Sequence, residues 1–135
     1  MKNEIKSFED LVVWKKAHDV VLIIYKLLEK FPKEEKYRII DQLVRAVVSI
    51  PTNISEGFGR YTNKDYVHFL IIARGSVSEV KYLVLLSKDL RYISITEYNE
   101  LKKELDDIGK MINGLINSLR NKQSNESNPK SLNPN

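Results

Sequence analysis

Apolar residues recur every three or four positions along most of this 135-residue chain, which is the spacing of one face of an α-helix. Capping and helix-breaking residues interrupt the pattern three times, each time over only a few positions. The pattern predicts four helices: Ser7 to Phe31-Pro32, about Glu34 to Phe58, Thr62 or Asn63 to about Leu90, and Ser94 or Thr96 to near Arg120. Because short connections force consecutive long helices to run antiparallel, we expect an all-α fold, an antiparallel up-down-up-down four-helix bundle over residues 1–120.

The composition favours a single cytoplasmic domain with its own core. A chain of this length with 42% hydrophobic residues buries enough surface without metal or disulfides, and cysteine is absent. The amino terminus carries charges where a secretory signal is apolar, and no apolar run approaches the roughly 20 residues of a membrane-spanning helix. Residues 121–135 are mostly Asn, Ser and Pro, so we expect a disordered polar tail there.

The most unusual stretch is QLVRAVVSIPTNISEG, from Gln42 to Gly57, which has helical periodicity with a proline in its middle. Pro51 has no N–H to donate and its ring crowds the carbonyl of Val47, so we expect the second helix to be kinked at Pro51. One narrow arc of this helix collects polar and charged residues: Gln42, Arg45, Ser49, Asn53 and Glu56.

Two interpretations of this polar arc stay open. It is a contact surface for another helix, another subunit or a nucleic-acid backbone, or it is a structural network whose members hydrogen-bond to one another. The network would comprise Gln42, Ser49, Asn53, Glu56, Ser76 and Glu79, with Glu79 within reach of Arg45 or Asn53. Gly75, next to Ser76, suggests a tight helix crossing, because glycine in a helix interior costs about 1 kcal/mol relative to alanine.

Helices 1 and 3 carry more apolar surface than one bundle core covers. The first helix has a second apolar seam beside its core seam, and the third is apolar around much of its circumference. A second copy of the chain is the simplest cover for such faces, so we predict a homo-oligomer. The candidate interface residues are Leu11, Trp14, Val21, Leu22 and Tyr25 on helix 1 and Ile72, Leu83 and Leu86 on helix 3. The alternative is a broad core seam with scattered surface hydrophobic residues.

Four segments carry a family resemblance: FEDLVVWKKA (Phe8 to Ala17), FPKEEKY (Phe31 to Tyr37), QLVRAVVSIPTNISEGFGR (Gln42 to Arg60) and FLIIARGSVSEV (Phe69 to Val80). Over about residues 7–120 the chain resembles the four-helix-bundle proteins of the 23S rRNA intervening-sequence type. The resemblance implies an antiparallel bundle that assembles as a ring, typically a homopentamer. A similar bundle is the accessory variability determinant of diversity-generating retroelements, which binds nucleic acid and a reverse transcriptase.

A net charge of +4 permits an anionic partner but is too mild to identify one. The candidate nucleic-acid contacts are Arg45, Arg60, Lys64 and Arg74 for phosphates and Tyr61 for stacking on an unpaired base. The alternative is an ordinary solvated turn with scattered surface charges.

No catalytic site, metal site or cofactor is predicted. A di-metal site in a bundle needs two Glu-x-x-His pairs and two further carboxylates, whereas Asp65 and His68 are the one pair offered at that spacing. Gly57 and Gly59 predict a glycine cap at the end of helix 2. We expect a non-catalytic homo-oligomeric binding or scaffold module whose first candidate partner is RNA or an RNA-binding protein. The alternative is a protein-only adaptor or assembly element.

Overall fold

The computed structural model describes residues 4–127, and within that range the chain forms four α-helices and no strand. The helices are α1 (Val12–Leu28), α2 (Ile39–Phe58), α3 (Asn63–Asp89) and α4 (Ile95–Ser127). Short 3-10 turns at Phe8–Asp10 and Lys33–Glu35 precede α1 and α2. The prediction of an all-α fold is confirmed.

Helix contacts define a four-sided bundle. Each helix packs against the helices before and after it in the chain, α1 also packs against α4, and the diagonal pairs α1–α3 and α2–α4 do not contact within residues 4–127. Lys30, just past the end of α1, pairs with Glu97 at the start of α4, so these two helices run antiparallel. The predicted up-down-up-down arrangement is confirmed.

Capping residues fix where the helices begin. Thr62 accepts a hydrogen bond from the Asp65 N–H at 3.1 Å and starts α3 as predicted. Ser94 and Glu97 form the predicted capping box, with bonds of 3.0 Å and 2.8 Å. The Ser7 capping box also forms, but it caps the 3-10 turn rather than α1, which starts at Val12.

Besides the start of α1, two further predicted helix boundaries are wrong. The predicted start of helix 2 near Glu34 lies in the second 3-10 turn, and α2 begins only at Ile39. Helix α4 continues past Arg120 to Ser127, so residues 121–127 are helical and do not belong to a disordered tail. Neither glycine nor proline occurs between Arg120 and Ser127, so nothing there breaks the helix. The remainder of the predicted tail, 128–135, lies outside the described residues.

The core is one cluster of apolar side chains from all four helices and the turns between them. The core seams predicted for α1 and α3 are buried almost throughout, including Ala17, Val20 and Ile24 on α1 and Leu70 and Val80 on α3. Helix α2 passes through Pro51 without a break and buries its ring. Helix continuity gives no bend angle, so the kink at Pro51 stays a prediction. Within the described residues, no helix combines the length and the apolar character that crossing a membrane requires.

Candidate functional site

Half of the predicted polar network exists, and it ties α2 to α3. The Ser49 hydroxyl oxygen accepts hydrogen bonds from Asn53 Nδ2 and from Ser76 Oγ, both at 2.9 Å. Asn53 Nδ2 also donates to the Ser49 carbonyl at 2.8 Å. All three residues are half-buried, so these bonds replace hydration that the helix contact removes.

The three other predicted members lie outside this network. Gln42, Glu56 and Glu79 are exposed, and Glu56 pairs instead with Arg60 at 3.3 Å. Glu79 reaches neither Arg45 nor Asn53, because within residues 4–127 Arg45 pairs with Asp41 at 3.1 Å and Asn53 bonds to Ser49. Gln42 and Glu56 share a helix face with Ser49 but lie about two turns before and after it along α2, so the hydrogen-bonded network occupies only the middle of the predicted stripe.

Small polar side chains bond to the helix backbone on either side of Pro51. Thr52 Oγ1 donates to the Val48 carbonyl at 2.7 Å, and Ser55 Oγ donates to the Thr52 carbonyl at 2.8 Å. These bonds follow the pattern in which Ser, Thr and Asn bond back to the preceding helical turn. They favour the structural interpretation of the Ser49–Asn53 region over an external contact surface.

The tight helix crossing lies at Gly57 rather than at Gly75. A Cβ atom added to Gly57 would lie 2.9 Å from Tyr66 Cδ1 and 3.0 Å from Phe69 Cβ, whereas one added to Gly75 would meet no atom within 4 Å. The prediction of a close crossing at Gly75 is therefore wrong within the monomer. Gly59 is the last cap residue of α2, but its φ of −81° is not the left-handed conformation of the predicted glycine cap, and Gly57 lies inside the helix. The absent side chain at Gly57 is what allows α3 to turn back so closely against α2.

Three of the candidate nucleic-acid residues meet at the α2–α3 end of the bundle. Arg60 lies with its guanidinium 4.5 Å from the centre of the Phe69 ring, held there also by its ion pair with Glu56. Tyr61 is completely exposed at the turn, and Lys64 is exposed in the first turn of α3. The turn between α2 and α3 therefore carries an exposed tyrosine that lies between two cationic residues in the sequence.

The other two candidates lie elsewhere. Arg45 is in the middle of α2, about 22 Å along the helix from Arg60 at 1.5 Å per residue. Arg74 lies about 15 Å along α3 from Lys64 and donates to Asn113 Oδ1 of α4 at 3.0 Å. The five predicted residues do not form one patch.

The predicted oligomer residues divide into three groups by exposure. Leu22, Tyr25 and Ile72 are exposed, with 55%, 48% and 41% of their surface accessible. Leu11, Trp14 and Leu86 pack partly against the core. Val21 and Leu83 are buried in the monomer, which corrects their assignment to an exposed face. Each of α1 and α3 packs against two neighbouring helices, so the core covers a wider arc of each helix than one seam.

An open groove between α1 and α4 was not predicted. Its volume is about 590 Å³, and eight residues line it: Asp19, Ile23, Leu27, Glu97, Glu100, Leu101, Lys103 and Glu104. Lysines of α1 and its C-terminal turn bridge to its acidic wall, Lys16 to Glu104 at 3.0 Å and Lys30 to Glu97 at 2.6 Å. Helical spacing alone could not reveal this groove, because it depends on how far apart α1 and α4 lie.

Structural contacts explain the pKa shifts of the ionisable groups. The hydrogen bond from Lys30, with one from the Ser94 N–H, lowers the pKa of Glu97. Lys81 and then Lys102 lower the pKa of Asp106, and burial raises the pKa of Tyr66. Within residues 4–127, no three His, Asp or Glu side chains are grouped to hold a metal ion. Ion pairs and hydrogen bonds therefore account for the pKa shifts of Glu97 and Asp106, and burial accounts for that of Tyr66.

Comparisons with known proteins agree on the family. The sequence model of the 23S rRNA-intervening sequence protein matches residues 9–114, which span α1, α2, α3 and much of α4. A crystal structure of a protein of unknown function from the S23 ribosomal protein family of Bacteroides thetaiotaomicron is similar, with a TM-score of 0.70 and 25% sequence identity. The similarity covers 78% of this chain and 98% of that chain. No curated protein matches.

Proposed function

We propose that this chain, which belongs to the 23S rRNA-intervening sequence protein family, is a cytoplasmic, non-catalytic module that self-associates and binds RNA or an RNA-binding protein. Self-association is supported by exposed apolar side chains on two helices. Leu22 and Tyr25 on α1 and Ile72 on α3 lie in solvent in the monomer. Leu22 and Tyr25 are three residues apart and so are neighbours on one helix face, and exposed apolar side chains that lie together mark an interaction site.

The two apolar faces lie on different sides of the bundle. Helices α1 and α3 are diagonal and do not contact each other in the described residues, so Leu22 and Ile72 point away from one another. An assembly that covers both faces would join α1 of one copy to α3 of the next, which is a head-to-tail contact. Such contacts close into rings when the rotation permits, and the homopentamer implied by the family resemblance is one such ring.

Light scattering coupled to size-exclusion chromatography, carried out over a dilution series, tests self-association. We expect an assembly larger than a monomer, and we expect Leu22→Glu to shift it toward monomer because a carboxylate then falls in the contact. The control is Ile95→Glu, since Ile95 is 69% exposed and starts α4 away from both faces. A stable monomer at all concentrations contradicts the proposal.

RNA binding is supported by the α2–α3 end of the bundle. Tyr61 offers an unobstructed ring face, and Arg60 and Lys64 offer charges for flanking phosphates. A ring of copies would repeat this weak site and raise the total affinity without any new contact. The RNA proposal rests on one observation: Tyr61, which lies between Arg60 and Lys64 in the sequence, is completely exposed.

A protein-only adaptor or assembly element is the second candidate. Arg45, Arg60 and Arg74 each have an intramolecular partner: Asp41, Glu56 and Asn113, respectively. An arginine with such a partner must give up that contact or share it before it binds a phosphate, so these pairs favour a role without nucleic acid.

Absorbance at 260 nm of the protein purified at low salt, and anisotropy with a labelled 23S rRNA fragment, separate the two candidates. We expect bound RNA that high salt removes, and about tenfold weaker binding in Arg60→Glu with Lys64→Glu. The matched control, Lys33→Glu with Lys36→Glu, makes the same charge change at the opposite end of α2. No binding by the wild-type protein contradicts the RNA role and favours the adaptor, whereas equal losses in both double variants contradict the α2–α3 end as the RNA contact.

A further inference from the structure

The groove between α1 and α4 is explained neither by self-association through Leu22 and Ile72 nor by RNA binding at Tyr61. We propose that it is a docking site for a basic amphipathic helix of a partner protein. The partner places apolar side chains on the groove floor and sets Lys or Arg side chains against the acidic walls. The groove is a different surface from the two that the proposed function uses. An experiment that contradicts the groove proposal therefore leaves the proposed function standing, and the reverse also holds.

The groove floor is apolar and partly open. Ile23 is 43% exposed, Leu27 is half-buried, and Leu101 of α4 is buried beneath them. Ile23 and Leu27 are four residues apart on α1, so their side chains are neighbours on one face of the helix. A partner side chain that packs here would bury the part of Ile23 that is exposed in the monomer.

The groove walls are acidic in a protein whose net charge is +4. Four carboxylates and one ammonium group line the groove. Lys16 and Lys30 neutralise Glu104 and Glu97, whereas Asp19 and Glu100 are exposed and form no ion pair within residues 4–127. These two free carboxylates attract a cationic partner and disfavour RNA at this surface.

The groove has the shape and length that suit a helix. It lies between two antiparallel helices, and the lining residues from Asp19 to Leu27 extend about 12 Å along α1, or about two helical turns. A third helix packs into such a groove through apolar anchors three or four residues apart. The volume of about 590 Å³ gives room for those anchors.

A second copy of this chain is a poorer occupant than a basic partner. The exposed apolar face of α3 carries Glu79 two turns after Ile72, on the same side of the helix. That face of a second copy would bring another carboxylate to the acidic walls. Charge complementarity therefore favours a different chain that carries Lys or Arg.

The test uses the full chain and a labelled peptide of Leu and Lys, about 14 residues or four turns long, with Leu at every third or fourth position. A scrambled isomer keeps its composition but has no apolar face. Fluorescence anisotropy should show the patterned peptide binding at least about tenfold more tightly than the isomer. Equal binding of both peptides overturns the proposal, because charge alone would then explain it.

Variants locate the binding. We expect Asp19→Lys with Glu100→Lys to weaken peptide binding about tenfold, whereas Glu9→Lys with Glu34→Lys, an equal charge change at exposed residues of the two 3-10 turns away from the groove, changes it little. Ile23→Ser removes the exposed floor without changing charge and should also weaken binding severalfold. Circular dichroism checks that each variant is folded. Equal losses in the two lysine double variants overturn the groove as the site.

Cross-linking keeps the proposal testable if a variant does not fold. A photoreactive group on a Leu position of the peptide should attach to wild-type residues at the groove, Ile23 or Leu27, and attachment elsewhere overturns the assignment. A lower assembly mass for Asp19→Lys with Glu100→Lys in the absence of peptide would make a second copy the occupant, and that result also overturns the proposal. The Leu22→Glu experiment tests self-association separately.

Discussion

Between α2 and α3 the helices meet through small side chains, whereas between α1 and α4 they are bridged by long charged ones. Ser49 and Ser76 bond directly at 2.9 Å, and Gly57 lets α3 approach within a distance that a Cβ atom would obstruct. On the other side, Lys16 reaches across to Glu104, and a groove remains beside the bridge. Close packing buries the apolar surface between α2 and α3, whereas bridged packing leaves Ile23 of α1 partly exposed.

Truncating one isoleucine on each side gives the largest expected contrast. Ile50→Ala on α2 removes a fully buried side chain and should lower the free energy of unfolding by about 3 kcal/mol. Ile23→Ala on α1 removes one that is 43% exposed and should cost less than about 1 kcal/mol. Urea unfolding at one fixed protein concentration measures both values. Similar losses would mean that the groove floor is covered in solution.

Adding a methyl group at each of two helical glycines gives the next largest contrast. Gly57→Ala should lower the free energy of unfolding by about 2 kcal/mol, because the new Cβ would lie 3.2 Å from the Tyr66 carbonyl oxygen and 3.0 Å from Phe69 Cβ. Gly75→Ala meets no neighbour within 4 Å and should gain about 0.5 to 1 kcal/mol. Thermal unfolding of both variants checks the signs. Stabilisation by Gly57→Ala would show that α2 and α3 separate easily.

Removing the shared hydroxyl of the α2–α3 network has a smaller effect. Ser49→Ala leaves Ser76 Oγ and Asn53 Nδ2 without their common acceptor and should cost about 1 kcal/mol. Ser78→Ala, at an exposed position of α3, is the control and should change little. Chemical denaturation compares the two. If Ser78→Ala lowers the free energy of unfolding as much as Ser49→Ala does, the network does not stabilise the fold.

Acid titration probes the bridged side, where the expected effect is the smallest. The pKa of Glu97 is lower in the folded chain than the usual glutamate value of about 4.3, because Lys30 and the Ser94 N–H stabilise the carboxylate. Its stabilising contribution is therefore full above about pH 4.3 and is lost as the pH falls through the lower folded value. Melting temperatures of Glu97→Gln and wild type should differ near neutral pH and converge in acid. A difference that persists unchanged in acid would show that the charge of the Glu97 carboxylate is not what stabilises the fold.

Sequence spacing predicted the fold well because the helices obey local rules. The cap at Thr62 and the capping box of Ser94 and Glu97 mark helix starts through bonds between residues three apart. The predicted start of α2 was wrong because residues 33–35 form a 3-10 turn, whose period of about three residues is close to that of an α-helix in a sequence pattern. The predicted end of α4 was wrong because residues 121–127 are polar but include no helix-breaking residue, so the helix continues through them.

The candidate site was less predictable because it depends on distances between helices. The periodicity of α2 placed Gln42 and Glu56 on one arc with Ser49, but it could not show that α3 covers only the Ser49 part. The same limit applied to Val21. Helical spacing placed it on the second apolar seam of helix 1, although neighbouring helices bury it in the structure. The acidic groove had no sequence signal, since its walls come from helices far apart in the chain.

The order of the four helix contacts also bears on how the bundle forms during synthesis. Three interfaces join helices that are consecutive in the chain, and only the α1–α4 interface joins its two ends. Contacts between neighbours in sequence cost little loop-closure entropy, whereas the α1–α4 contact must wait until α4 has left the ribosome. The flank of α1 that carries Ile23 and Leu27 is thus the last part of the bundle to be covered in a growing chain.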